Sequence, residues 1–278
     1  MTHAPLRVRA ENGVVRVTVD NPPVNVLDAR LITELKRLLV ALRSDESARV
    51  IVFDSADPEF FLAHVDMTTT PEQVVELSAD LPEGVNAFQA LGELLRGQPQ
   101  VSIVKLAGKA RGGGAEFVAA ADLVFAAIGR AGLGQVEAPG GIVPGGGGTQ
   151  YVTARTGRNR ALEIVLGADL FDAETAERYG WVNRALPADE LDAFVDRLAA
   201  NIAALPEGVI AATKRAIPAE DLSAGLVREH EEWAGLFARP AAGELLAGMM
   251  AAGAQTREGE RDLEGLARGV GARVAAKG

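Results

Sequence analysis

Glu116 follows three consecutive glycines, Gly112, Gly113 and Gly114, and opens an apolar stretch. A glycine-led helix start exposes unpaired N–H groups and the positive end of the helix dipole, and glycine lets a ligand approach that backbone closely. Such a place stabilises negative charge, whether a phosphate or an oxyanion that develops during a reaction. A nucleotide-phosphate loop would carry Lys and then Ser or Thr after its glycines. Here Ala115 and Glu116 follow, and a carboxylate would repel a phosphate, so the oxyanion reading fits better. A second acid, Glu137, lies 21 residues further on, ahead of a loop punctuated by Pro139, Pro144 and the run Gly145 to Gly148. One helix and one strand between the two acids can return the chain to the same side of a sheet. Two carboxylates beside an oxyanion site suit proton abstraction, or addition of water, next to a carbonyl. Taken singly each acid has a plainer role: Glu116 as a first-turn acid favoured by the dipole, Glu137 as a solvated loop residue.

The elements that must position these residues follow from pattern. Leu6 to Asp20 alternates about Asn12-Gly13, the signature of a hairpin with a tight primed turn. Pro22 and Pro23 stop the strand, and Asp28 caps a helix with Leu31, Leu35, Leu38, Leu39 and Leu42 on one face. Arg49 to Phe53 and Val101 to Gly108 read as strands. Phe60 to Met67, after a short loop, reads on its own as a buried edge or turn. Pro71 to Gln98 reads as helix broken near Pro82-Glu83-Gly84. The stretch around Glu116 reads as loop, helix and then the strand Leu123 to Ala127. Thr149 to Gly167 reads as helix, as do Asp172 to Gly180 and Ala188 to Leu205. Strands and helices alternating with short connections predict an α/β fold. From about Pro206 the pattern is entirely helical, with Leu222, Leu226, Trp233, Leu236 and Phe237 as apolar positions. The division is therefore 1–205 for the core and 206–278 for a helical region. The charged, glycine-rich tail after Gln255 is expected to be partly mobile.

Composition sets the outer limits. The 278 residues are 48% hydrophobic but only 5% aromatic, so Ala, Val and Leu must fill the core. With no cysteine, disulfides, thiolate chemistry and cysteine zinc sites are excluded. The formal charge of −10 and the lack of a long basic run disfavour nucleic-acid binding. No signal-like apolar core and no long apolar run occur, which points to a soluble, cytoplasmic protein with no membrane association. His3, His64 and His230 have no ligand spacing, so no catalytic metal is expected.

Four segments in order resemble the enoyl-CoA hydratase/isomerase family, the crotonase superfamily. Asn21 to Asp28 (NPPVNVLD) is similar to its N-terminal Asn-Pro element. Phe60 to Met67 (FFLAHVDM) stands where the family has Phe-x-Ala-Gly-x-Asp. Arg111 to Glu116 (RGGGAE) and Leu133 to Gln150 (LGQVEAPGGIVPGGGGTQ) resemble its two glycine loops. The resemblance spans about residues 6 to 185. It implies a crotonase-like spiral of repeated ββα turns, C-terminal helices that build trimers or hexamers, and an acyl-CoA thioester as ligand. Coenzyme A would belong to the substrate, with no separate cofactor. By position, the N–H groups of Val65 and Gly113 would form the oxyanion hole, and Ala63 and Asp66 would flank the CoA adenine. Glu116 would deprotonate the water that attacks Cβ, and Glu137 would supply the proton to Cα.

The chain departs from that pattern at His64 and Val65, where the family has Gly and a small residue. An oxyanion donor needs only its backbone N–H, so Val65 can serve. His64 would be a surface or packing residue, or a contact to the pantetheine or base of CoA. Arg111 would touch ligand or lie on the surface. Nothing assigns the residue that holds the CoA 3′-phosphate. The leading function is reversible addition of water to a 2-enoyl-CoA. The alternatives are isomerisation, decarboxylation or thioester hydrolysis at the same oxyanion site, or a non-catalytic CoA-binding role.

Overall fold

The computed structural model describes residues 3–79, 81 and 84–276. Strands β1 (Leu6–Glu11) and β2 (Val14–Val19) pair antiparallel, with Glu11 opposite Val14. The turn residues Asn12 and Gly13 have φ of 49° and 79°, as a primed hairpin turn requires. Helix α1 (Ala29–Arg43) begins at Asp28, whose side chain accepts from the Leu31 N–H, and buries Leu31, Ile32, Leu35, Leu39 and Leu42.

Three ββα turns follow. Strands β3 (Val50–Ser55) and β4 (Phe60–Leu62) lead into α2 (Pro71–Ser78) and α3 (Ala87–Arg96). Strands β5 (Val101–Leu106) and β6 (Lys109–Arg111) lead into α4 (Gly113–Ala120). Strands β7 (Leu123–Ala127) and β8 (Gly132–Gly134) lead through the Glu137 loop into α5 (Gly148–Thr156) and α6 (Arg158–Gly167). Then come β9 (Phe171–Asp172), α7 (Ala173–Tyr179) and β10 (Arg184–Leu186). In each turn the first strand joins a six-stranded sheet ordered β1-β2-β3-β5-β7-β10, and the second joins a four-stranded sheet ordered β4-β6-β8-β9. All pairings are parallel except β1 with β2 and β8 with β9. This is the crotonase-like ββα spiral.

Central strands of a parallel sheet bury both faces, which explains the apolar stretches Val50 to Phe53 in β3 and Ile103-Val104 in β5. One face packs against α1, α3 and α4 through Ile51, Phe53, Val104, Leu35 and Phe117. The other, through Val50, Val52 and Ile103, is covered by Leu191, Val195 and Ala199 of α8 (Leu191–Ala203). The remaining helices are α9 (Val209–Ala216), α10 (Ser223–Phe237), α11 (Pro240–Ala251) and α12 (Leu263–Ala275).

Two expectations are corrected. Thr149 to Gly167 is two helices, because Gly157 has φ 78° and cannot continue an α-helix. Residues 256–276 fold onto the core: α12 buries Leu263, Ala267 and Val270, which pack on Val136 and Met249. The expected break at Pro82-Glu83-Gly84 falls between α2 and α3, with Pro82 and Glu83 outside the described residues. Among the described residues, no helix is long and apolar enough to cross a membrane.

Candidate active site

β4, β6 and β8 are neighbouring parallel strands, so their C-terminal ends open at one edge of the small sheet. The segments leaving those ends carry Ala63 to Asp66, Gly112 and Gly113, and Gln135 to Glu137. Ligand sites in open parallel sheets form outside the carboxyl ends of the strands. The topology therefore gathers residues that are more than seventy positions apart in sequence.

Backbone geometry leaves two donors unused there. The His64 carbonyl accepts from the Leu27 N–H at 2.8 Å, and the Asp66 N–H donates to the Leu27 carbonyl at 3.1 Å. Both neighbours are thereby fixed, while the Val65 N–H between them has no protein acceptor among the described residues. Gly112 donates to the Gly134 carbonyl at 2.9 Å, and Gly113, first residue of α4, has no acceptor either. The Val65 side chain lies against the Gly113 backbone, which brings the two residues together. The glycines are required by close approach. A Cβ on Gly112, whose φ is 46°, would come 2.8 Å from Glu137 Oε1, and one on Gly114 would strike the Leu62 carbonyl.

Glu116 is buried, at 4% exposure, and its Oε1 accepts from the N–H groups of Gly146 (2.8 Å) and Gly148 (2.9 Å). Burial, then the charges of Glu137 and Glu229, push its carboxyl well above the usual range. Glu137 keeps some exposed surface, but protein encloses its carboxyl enough that burial raises it to about 7. The Glu229 charge adds to that rise and His64 opposes it. The Gln135 amide lies 3.0 and 3.1 Å from the two Glu137 oxygens, and hydrogen-bonding logic sets its nitrogen there. The Glu137 charge contributes to the rise of Glu116, and neither carboxyl is the solvated acid its surroundings in sequence allow. A small apolar pocket opens beside Glu116 and Gly113, walled by Leu27, Phe88, Leu91 and Phe117.

The side of the site away from the pocket is a buried ion network. His64 is 3% exposed, with Nδ1 2.7 Å from the Val65 carbonyl and Nε2 2.8 Å from Glu260 Oε1. Burial alone would lower this histidine, but the Glu260 hydrogen bond and charge outweigh it, and the net shift is upward. Both ring nitrogens are engaged inside the protein, so of the roles expected for His64 the packing one holds, and those of surface residue and CoA contact give way. Arg111 is fully buried rather than exposed to solvent or ligand. Its Nε and Nη2 make a bidentate pair with Glu264 at 2.6 and 2.9 Å, and its Nη1 donates to the Glu260 carbonyl at 2.9 Å.

Ala63 is buried among Val24, Val26 and Phe60. Asp66 is half-buried and accepts from the Thr68 N–H and hydroxyl and, at 3.0 Å, from the Gln255 amide. Glu229, Glu260 and Glu264 come from the C-terminal helical region and were not legible as site residues. Their only signal in sequence is an acid at a position that helical periodicity turns toward the core.

Backbone amides with no acceptor among the described residues and buried, upward-shifted carboxyls, set on a ββα spiral, are groups that can stabilise negative charge and exchange protons. The chain matches the enoyl-CoA hydratase/isomerase family over residues 9–249 and belongs to that family. A crystal structure from Streptomyces avermitilis, provisionally named an enoyl-CoA hydratase, is 64% identical with a TM-score of 0.95, covering 98% of this chain and 100% of that one. A provisionally named enoyl-CoA hydratase of Mycobacterium tuberculosis is 28% identical over 242 residues, 86% of this chain and 91% of that protein. The human mitochondrial methylglutaconyl-CoA hydratase is 31% identical over 189 residues, 67% of this chain and 55% of its own length.

Proposed function

We propose that this protein is an enoyl-CoA hydratase that adds water reversibly across the 2,3 double bond of an acyl-CoA thioester. The observation that carries the reading is the convergence of two carboxyls, both raised by burial, on two backbone amides that have no acceptor among the described residues. The thioester oxygen would sit between the N–H groups of Val65 and Gly113, which stabilise the enolate-like charge formed when oxygen adds to Cβ. Glu116 takes a proton from the attacking water and Glu137 gives one to Cα; in the dehydration direction the roles reverse. Isomerisation needs one base, whereas water addition uses both, which favours the hydratase. Hydratase names among relatives of this length and likeness point the same way. Asp66, half-buried beside the oxyanion loop, and the Ala63 backbone would flank the CoA adenine.

The purified protein incubated with a panel of 2-enoyl-CoA esters should yield products heavier by one water in mass spectrometry. A panel that gives no such product, with no heat or thermal shift on titration with any acyl-CoA, would remove the reading. Because burial raises both glutamates, and the Glu137 charge adds to the rise of Glu116, kcat/KM should follow a bell in pH set by these carboxyls.

The chain also carries apolar residues that its own fold leaves open. Val227 is 38% and Phe237 47% exposed on α10, with Phe237 stacked 4.9 Å from the half-buried Trp233. Assembly into a trimer or hexamer would cover them. Light scattering should give a mass of three or six chains, and a stable monomer at working concentration would refute the assembly.

A further inference from the structure

We propose that Glu229, on α10, is a positioning residue of the active site that fixes the glycine loop holding Glu116 and sets a second carboxyl group behind it, an assignment that rests on the hydratase reading. Four successive N–H groups of the loop and the start of α5 are shared in alternation between two carboxylates. Those of Gly146 and Gly148 point to Glu116, at 2.8 and 2.9 Å. Those of Gly147 and Thr149 point to Glu229, at 2.6 and 2.8 Å. The φ of 102° at Gly147 belongs to this reversal and is open only to glycine. The loop is therefore clamped from both sides, and its glycine content has a use beyond making a turn.

Glu229 accepts two further bonds, from the Thr149 hydroxyl and from the Gln89 amide at 3.1 Å. Gln89 also donates to the Leu226 carbonyl at 2.8 Å and so ties α3 to α10. Each Glu229 oxygen thus has two donors, which favour its ionised form; burial is the larger effect and leaves the carboxyl above its usual range. An acid so saturated has no lone pair directed at a substrate. It acts through Glu116 and not on reacting atoms. The titratable groups that face it are Glu116 from α4, Glu137 from the loop after β8 and Tyr151 from α5, and its charge raises all three. Beyond Tyr151 stand Glu93, its hydrogen-bond partner, and Arg96, both on α3.

The test is Glu229→Gln beside Glu229→Asp, assayed for hydration across pH. Glu229→Gln removes the charge and turns an amide toward backbone donors. We expect kcat to fall by about 10²-fold from the displaced Glu116. Both limbs of the bell should move to lower pH, because a like charge no longer opposes ionisation of the Glu116–Glu137 pair. Glu229→Asp keeps the charge but is too short for all four donors, so it should lower kcat with the bell in place. A Glu229→Gln bell that keeps its wild-type position overturns the proposal, whatever its height. Should Glu229→Gln fail to fold, Thr149→Val removes one donor from the clamp, and an unchanged kcat in that variant refutes it equally. If the wild-type protein hydrates no enoyl-CoA, the hydratase reading fails by itself. Carbon-13 NMR titration of the carboxyls, which needs no turnover, then still reads whether Glu229→Gln shifts Glu116 and Glu137 downward.

Discussion

Glu116→Gln and Glu137→Gln should each lower kcat for enoyl-CoA hydration by roughly 10²- to 10⁴-fold, the usual worth of a positioned acid or base. Both substitutions keep side-chain shape. The amide oxygen that Glu116→Gln leaves in place can still accept from the N–H groups of Gly146 and Gly148, so the glycine loop keeps its position. What disappears is the ability to take or give a proton. Affinity for the CoA ester should stay within a few-fold, because the donors assigned to the thioester belong to the backbone of Val65 and Gly113. The double variant should lose far less than the product of the single losses, since groups that act on one transition state are non-additive. Stopped assays on the three variants, with acyl-CoA titrations alongside, separate the outcomes. Activity retained in Glu116→Gln would end its assignment as the water-activating base and leave it a buried acid at a helix start. Double-bond migration in an enoyl-CoA that survives the loss of either glutamate, with no water added, would instead indicate an isomerase.

The glycine loops were legible because their chemistry is local. A triple glycine before an acid marks a crowded backbone whatever surrounds it, and in the structure Glu137 and Leu62 are what crowd Gly112 and Gly114. The spiral was legible in part, since alternation and capping mark individual strands and helices, but only pairing shows which sheet each strand joins. The acids of the C-terminal region were hidden for a physical reason. A glutamate on an amphipathic helix reads as solvated unless something far away in sequence supplies its donors. For Glu229 those donors are amides some eighty residues upstream. For Glu264 the donor is Arg111, itself indistinguishable in sequence from a surface arginine. The same blindness made the tail after Gln255 look mobile: its glycines and charges are the composition of a loose end, yet its acids are counter-ions for the core.

That network predicts the largest effect on stability. Arg111→Ala should destabilise the protein by about 3–5 kcal/mol, the usual cost of breaking a buried ion pair by removing one partner. Arg111 is fully buried, and its loss would strand the Glu264 carboxylate and free the Glu260 carbonyl. For a chain of this size the melting temperature should drop by roughly 6–20 °C. Replacing both members, as in Arg111→Met with Glu264→Leu, should recover much of the loss, because no uncompensated charge remains. A double variant as unstable as the single one would mean that packing around the guanidinium, and not its charge, carries the effect. Acidity gives a second handle on the neighbouring pair. Folding raises His64 above 6.5 and lowers Glu260 below 4.5. The histidine's contribution is complete below about 6.5 and fades as pH climbs through its raised folded value. The glutamate's is complete above about 4.5 and fades as pH falls through its lowered folded value. The stability difference between wild type and Glu260→Gln, from urea unfolding at a series of pH values, should therefore be greatest between about 4.5 and 6.5. A difference that does not vary with pH would show that the two side chains meet as a neutral hydrogen bond, and the charge balance with Arg111 and Glu264 would then have to close without His64.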